Sequence, residues 1–170
     1  MSEDLIHGIH PVLETLRARR RRVHELYLVR GRRNARTDEL RAEAGRAGVD
    51  VREVDARFMK DRFGDREDQG VAARADPYPY TDLEEMLEAS PRPALLVALD
   101  QITDTGNMGA IVRSAAGLGV QGLIIHKDRS ASITTAVVRA SAGMTEHLPI
   151  ARGTRADADA IYPNVAVPTT

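Results

Sequence analysis

The sequence predicts an α/β fold in two parts, the second built on a mainly parallel sheet. Three observations lead there. Pro93 to Lys127 passes from a short apolar run to helical spacing and back to an apolar run, the pattern of a βαβ unit. Val23 to Ala75 alternates strand-like with helix-like segments. Between them, Asp76 to Pro93 is rich in proline and acidic residues, as a connection is.

Ile6 to Leu16 reads as a helix entered through Pro11 in its first turn. Val23 to Val29 comes next as a strand. Thr37 to Ala47 is a helix with Thr37 as cap and glutamates interleaved with arginines, and Gly48 ends it. Val49 to Val54 alternates like a half-exposed strand, Ala56 to Phe63 is a short helix, and Gly70 to Ala75 is another strand. The order is βαβαβ. Asp76 to Tyr80 is held extended by Pro77 and Pro79, Asp82 to Ala89 is an acidic helix, and Ser90 to Pro93 breaks it.

Ala94 to Leu99 is too short for a buried helix and reads as a strand covered on both faces. Asp100 to Asn107 is a polar turn with Asn107 as the helix cap. Met108, Ile111, Val112, Ala115 and Leu118 then recur at helical spacing, Gly119 stops the helix, and Gly122 to Ile125 is a second strand, expected to be parallel with a right-handed crossover. At roughly 100° per residue, Arg113 falls nearly opposite the apolar stripe, on the side of Gly109, and is free to face a cleft. Asn107 stands just past a strand's carboxyl end, where open α/β sheets place their ligands. The plain alternative is that Arg113 is a solvated helix residue and Asn107 only a cap. Further on, Ser130 to Thr135 is a turn, Thr135 to Ala142 a helix stopped by Gly143, and His147 to Ile150 a third strand. Thr154 caps a helix to Ile161, and Asn164 to Val167 is a fourth strand.

With 170 residues, 42% hydrophobic, the chain can bury one ordinary core or two small ones. It has no cysteine, which removes disulfides, a cysteine nucleophile and thiolate metal sites. No apolar run approaches the ~20 residues of a membrane span, and Met1 to Leu16 lacks a signal peptide's basic start and apolar middle. His7 and His10 have no further ligand at metal spacing, so packing or capping is expected of them, and no metal. The 24 Lys and Arg nearly balance 25 Asp and Glu, but unevenly along the chain. Arg17 to Arg36 has nine arginines against Glu25 alone, a local charge of +8 on both flanks of the strand Val23 to Val29. Such a block neutralises phosphates, which points to RNA through Arg19, Arg20, Arg21, Arg22, Arg30, Arg32 and Arg33; a solvated arginine-rich surface is the alternative.

DQITDTGNMGAIVRSAAGLGVQGLIIHKDRSA, Asp100 to Ala131, resembles the first signature of the SpoU branch of the SPOUT RNA methyltransferases, N-x-G-x-x-x-R-S-A after an acidic strand end, followed by a K-D-R-S-A turn. The likeness spans about Leu5 to Ile150 and extends to the H-G-I-H-P opening, His7 to Pro11, and the D-Q-G-V turn, Asp68 to Val71. It is closest to the bacterial 23S rRNA guanosine-2′-O-methyltransferases. The resemblance implies a small L30e-like RNA-binding domain over residues 1–76, a linker and short acidic helix over 77–92, and over 93–170 the first part of a SPOUT, or α/β knot, methyltransferase domain. It implies a cytoplasmic enzyme of ribosomal RNA that uses S-adenosylmethionine, needs no metal and forms a homodimer. It assigns Arg113 to the catalytic site and places Asn107 beside it. In the family a G-x-E-G-x-G-type loop and an S-L-N-x-S-type turn bind the cofactor and complete the knot. Neither occurs up to Thr170, and the resemblance places both beyond it, so the chain is expected to be a shortened copy without a cofactor site.

Methylating a ribose 2′-hydroxyl requires alignment with the methyl donor and loss of the hydroxyl proton. Guanidinium is a poor base, so the position of Arg113 suits a two-point grip on phosphate better. Two other functions compete. One is a protein that holds RNA and performs no chemistry. The other is a dinucleotide enzyme of Rossmann type, weakened by a first turn that reads TGNMGA and not G-x-G-x-x-G, with no acid at the end of the second strand.

Overall fold

The computed structural model describes residues 3–63, 69–154 and 157. The first part is a four-stranded sheet with helices: β1 (Asp4–His7), α1 (Ile9–Ala18), β2 (Val23–Val29), α2 (Ala35–Ala47), β3 (Asp50–Val54), α3 (Ala56–Phe63) and β4 (Val71–Ala75). Its strand order is β1-β4-β2-β3; β2 and β3 run parallel, whereas β4 is antiparallel to both β1 and β2. The second part holds α4 (Leu83–Ala89), β5 (Leu96–Leu99), α5 (Thr105–Gly117), β6 (Gly122–His126), α6 (Thr135–Ala140), a 3-10 turn (Met144–Glu146) and β7 (Ile150–Gly153). The three strands lie in the order β5-β6-β7, all parallel.

Several elements differ from the sequence reading for identifiable reasons. Ile6 does not open the first helix. It belongs to β1, and Gly8, at φ 94°, turns the chain before α1 begins at Ile9. Ile6, Ile9, Leu13 and Leu16 keep near-helical spacing across that break, which hid it. The cap of α2 is Asn34, not Thr37: the Asn34 side chain accepts from the Thr37 backbone, and Thr37 Oγ1 accepts from the Asn34 N–H, a reciprocal capping box. α6 ends at Ala140, and β7 starts at Ile150: His147 and Leu148 still bond back to Met144 of the 3-10 turn, and Pro149 meets β6 only through its carbonyl, which accepts from the Leu123 N–H at 2.9 Å. The helix expected up to Ile161, the strand Asn164 to Val167, the terminal residue Thr170 and Asp68 of the D-Q-G-V turn lie outside the described residues. Thr154 N–H and Oγ1 do bond the Asp157 carboxylate, at 2.6 and 2.8 Å.

The segment between the two sheets is extended but not free. Tyr78 is buried, and its hydroxyl donates to the Thr145 carbonyl at 3.0 Å. Burial also pushes its phenol well above the usual range. Thr81 bridges Ala151 in parallel, so the chain covers the outer edge of β7. The opposite edge, β5, is less covered: Leu95 just before it is 53% exposed and Leu118 at the end of α5 is 77% exposed. Ile6, Leu13 and Leu16 of the first part share one apolar core with Val137, Val138 and Leu148 of the second. Gly143 marks the closest approach, since a Cβ there would lie 2.7 Å from Glu14 Cβ of α1.

Through this contact runs one buried ion pair. Arg21 and Glu146 have side chains 1% and 0% exposed, with Arg21 Nη2 donating to Glu146 Oε1 at 2.7 Å and Nε to Oε2 at 3.3 Å. Arg21 Nη1 turns to Asp4 Oδ2 at 2.6 Å and to the Asp76 carbonyl at 3.1 Å. Every nitrogen of the guanidinium therefore has an acceptor. Removing one partner of such a pair leaves a buried charge unmatched. Arg21→Met or Glu146→Leu alone is expected to cost about 3–5 kcal/mol, and the double variant clearly less than the sum of the two. Urea denaturation of the three variants measures both quantities.

Candidate functional site

The carboxyl ends of β5, β6 and β7 share one rim of the second sheet, because the strands are parallel. From β5 the chain enters α5 through Asp104, whose Oδ1 accepts from the Asn107 N–H at 2.7 Å. Asp104 is therefore the cap and Asn107 the third residue of the first turn. A carboxylate at this position also meets the positive end of the helix dipole. The Asn107 side chain is thus released from capping and is exposed. Arg113 is exposed as well, with no ion pair or hydrogen bond among the described residues. The two lie about 9 Å apart along the helix axis, at 1.5 Å per residue.

Gly109 takes the opposite role to the one its position suggested. It is buried, and a Cβ on it would stand 2.3 Å from Ala140 Cβ and 2.8 Å from the Ala140 carbonyl carbon. The glycine of the N-x-G pattern lets α5 close onto α6 and so turns Asn107, on the far side of the helix, outward; Arg113 lies one turn beyond Gly109 on nearly the same side and is exposed past the contact. Hydropathy could not find it, since glycine contributes almost nothing to an apolar stripe.

A second group of polar side chains lies past β6 and β7. Backbone N–H groups of Asp128 and Arg129 both donate to His126 Nδ1 at 3.1 Å, while Arg129 Nε and Nη2 stand 3.2 and 3.0 Å from His126 Nε2. The Ala131 N–H donates to the Ile102 carbonyl at 2.8 Å, tying this turn to the loop that enters α5. Arg152 donates to Ser132 Oγ at 2.6 Å and lies 4.2 Å over the Tyr80 ring. The Thr154 backbone bond holds the Asp157 carboxyl below the usual carboxylate range. Of these, the sequence marked only Thr154, as a cap, and the K-D-R-S-A turn as a motif; the contacts of His126, Ser132 and Arg152 are made inside turns and have no period to detect.

A space of about 410 Å³ opens at Tyr80, Thr81, Asp82, Leu83, Glu84, Arg152 and Asp157. Its walls are mostly charged or polar, whereas a second space, of about 480 Å³, between α4 and the start of β6 is lined in part by Met86, Ala89, Pro91, Val120 and Pro149. The described residues end at Asp157, before the segments where the resemblance places the cofactor loops. Those residues also contain no group of three or more His, Asp or Glu placed to hold a metal ion, and no helix long and apolar enough to cross a membrane. His7 is buried edge-on against Phe63, and His10 is exposed.

The arginine block is basic along the chain but only partly so in space. Glu14, Glu39 and Glu43 surround Arg17. Arg36 pairs with Glu39. Arg19 donates to the Arg46 carbonyl at the end of α2, at 3.1 Å, a cation placed on a helix C-terminus. Arg20 bonds the Glu146 carbonyl and Thr81 Oγ1 at 3.1 and 3.2 Å. Arg21 is interior, so its charge cannot reach a phosphate. Arg19 to Arg22, with Arg46 and His24, line an open pocket of about 580 Å³ at the start of β2. Past the other end of β2, Arg30, Arg32 and Arg33 are all exposed, and among the described residues only the Arg32 side chain has a partner, the Gln69 carbonyl at 2.7 Å.

Residues 5–81 match the family described as RNA 2′-O ribose methyltransferase substrate binding, and residues 94–161 match the SpoU rRNA methylase family. An uncharacterized tRNA/rRNA methyltransferase of Mycobacterium avium is 42% identical over 151 residues, which are 86% of this chain and 48% of that protein. The 23S rRNA (guanosine-2′-O-)-methyltransferase of Vibrio cholerae is 36% identical over 157 residues, 91% of this chain and 63% of its own length. The chain thus spans about half to under two thirds of these relatives. Among solved structures, the SpoU methyltransferase AviRb of Streptomyces viridochromogenes in complex with AdoMet superposes with a TM-score of 0.73 at 23% identity, covering 95% of this chain and 58% of that one. At that identity the likeness is one of fold.

The packing of Gly109 can be checked directly. Gly109→Ala should destabilise by about 1–3 kcal/mol, because α5 and α6 must separate. Gly117→Ala, on the same helix with nothing within 4 Å of its Cβ position, should stabilise by up to about 1 kcal/mol. Thermal or urea unfolding of the two variants reads out opposite signs.

Proposed function

We propose, since this chain belongs to the SpoU family of rRNA methylases, that it serves 2′-O-methylation of a ribose in ribosomal RNA, with a guanosine of 23S rRNA as the target and S-adenosylmethionine as methyl donor. In this reading residues 1–76 hold the RNA, 77–92 join, and 93–170 present the reacting ribose. The enzyme works in the cytoplasm as a homodimer. The supporting observation is the pair Asn107 and Arg113, both exposed on one helix beyond the carboxyl end of β5 while Met108, Gly109, Val112 and Ala115 of that helix are buried.

The cofactor supplies an electrophilic methyl group, and the chain's own residues contribute positioning. A guanidinium keeps its proton and offers two parallel N–H donors, so Arg113 grips a phosphate next to the target ribose and does not act as the base. Asn107, with both a donor and an acceptor, bonds the ribose or the adjacent backbone. RNA is drawn in by Arg22, Arg30, Arg32 and Arg33, the arginines of the block whose charge faces solvent. A protein that only binds RNA is the second reading, favoured by the exposed arginines Arg22, Arg30, Arg32 and Arg33, none of them paired with a carboxylate among the described residues.

Changing Arg30, Arg32 and Arg33 to Ala together should lower the slope of log affinity for an rRNA fragment against log salt by about two to three units, at roughly 0.7–0.9 per phosphate. Unchanged slope would remove this loop from the interface. In a methyl-transfer assay with rRNA, Arg113→Ala should lose about 10²–10³ in rate, as when one oriented donor is removed from a reaction centre. Its unfolding free energy should stay within about 0.5 kcal/mol of the parent. A variant that methylates normally would return Arg113 to a solvated helix residue.

A further inference from the structure

We propose that His126 and Arg129, in the turn after the central strand β6, form a binding site for one phosphate of the RNA substrate. This site rests on the RNA reading and adds a contact point to it. An excess of donors marks the place. A neutral imidazole has one lone pair on its ring nitrogens, and an imidazolium has none. Here four N–H groups face the ring: Asp128 and Arg129 main-chain N–H at Nδ1, and Arg129 Nε–H and Nη2–H at Nε2. The two main-chain donors make Nδ1 the acceptor, so the ring proton sits on Nε2. That leaves Nε2–H and the Arg129 fork meeting donor to donor at 3.0 and 3.2 Å.

Three N–H groups therefore converge where the described residues supply no acceptor. Arg129 makes no ion pair with its neighbour Asp128, whose exposed carboxylate bonds nothing among the described residues. Lys127 lies toward Asp157, whose carboxyl it helps to hold low, and stands outside the site. An oxyanion with several lone pairs resolves the arrangement: one phosphate oxygen accepts from His126 Nε2–H and Arg129 Nε–H, and a second accepts from Nη2–H, the bidentate geometry that guanidinium favours. Phosphodiester fits better than a single carboxylate of a small ligand because of place. The turn lies at the carboxyl end of the middle strand of three, where α/β sheets bind ligands, and the Ala131 to Ile102 bond joins it to the loop leading to Asn107. A backbone running along the rim would meet Arg129 and the start of α5 in succession.

The test is fluorescence anisotropy of a labelled single-stranded RNA 12-mer with the full chain over a series of KCl concentrations. Arg129→Gln should weaken binding several-fold at low salt and reduce the log–log slope by about 0.7. Arg139→Gln removes the same charge from an exposed position on α6 and should do neither. His126→Phe removes the ring's donor and should weaken binding. Equal effects of Arg129→Gln and Arg139→Gln, or no effect of Arg129→Gln, would overturn the site while leaving RNA binding intact. If the unchanged chain binds no RNA, the broader reading fails. The anion site is then decided by titrating inorganic phosphate and following the Arg129 Nε–H and His126 ring resonances. Saturable movement of both keeps it, and absence of movement removes it.

Discussion

The buried pair Arg21 and Glu146 is the constraint on which the arrangement of the two sheets depends. An ion taken out of water loses several kcal/mol of hydration, and attraction to one partner returns that only with good geometry and with every remaining donor satisfied. Here Asp4, the Asp76 carbonyl and the face of Tyr78, 5.7 Å from the guanidinium carbon, complete the set. Those groups come from β1, from the end of β4 and from the connecting segment, while Glu146 comes from the 3-10 turn after α6. Satisfying all of them at once fixes the relative orientation of the two parts. The contact at Gly143 and the bond from His147 to Glu14, at 2.7 Å, are consequences of that orientation.

In the proposed reading a fixed orientation matters, because the RNA held by the first part has to meet α5 of the second at one place. Were the connection a loose tether, RNA bound by the first part would sample many positions relative to α5, and alignment would be lost as entropy. The proline-rich segment, with Tyr78 buried and Thr81 paired to Ala151, acts as a strut between the sheets.

Much of this was legible in the sequence, and the failures have physical causes. β2 and α3 run over the residues their periodicity marked, since an alternating or helical apolar face needs no knowledge of the partner it packs against. β1 was lost because Ile6 fits the helical spacing of the residues after Gly8, and a positive φ leaves no mark in hydropathy. Asp104 was passed over for Asn107 because both are good caps and only the backbone decides between them. The outward face of Arg113 was readable from the apolar stripe it avoids, whereas Gly109 and Arg21 were not: one works by having no side chain, the other by leaving a charged run to enter the interior. The charge of a run is a property of the chain, and the glutamates of α1 and α2 that offset it are distant in sequence but near in space.

β5 carries a row of small and aliphatic residues along the rim of the second sheet, with Leu95 and Leu118 beside it in water. A parallel sheet ordinarily hides its strands under helices or further strands, and an apolar strand with one side unpaired offers a template to any extended peptide that meets it. Among the described residues no strand lies beyond β5, so that edge is where a further strand would add to the second sheet. A charge placed at Leu95 would make that addition unfavourable without altering a single buried contact.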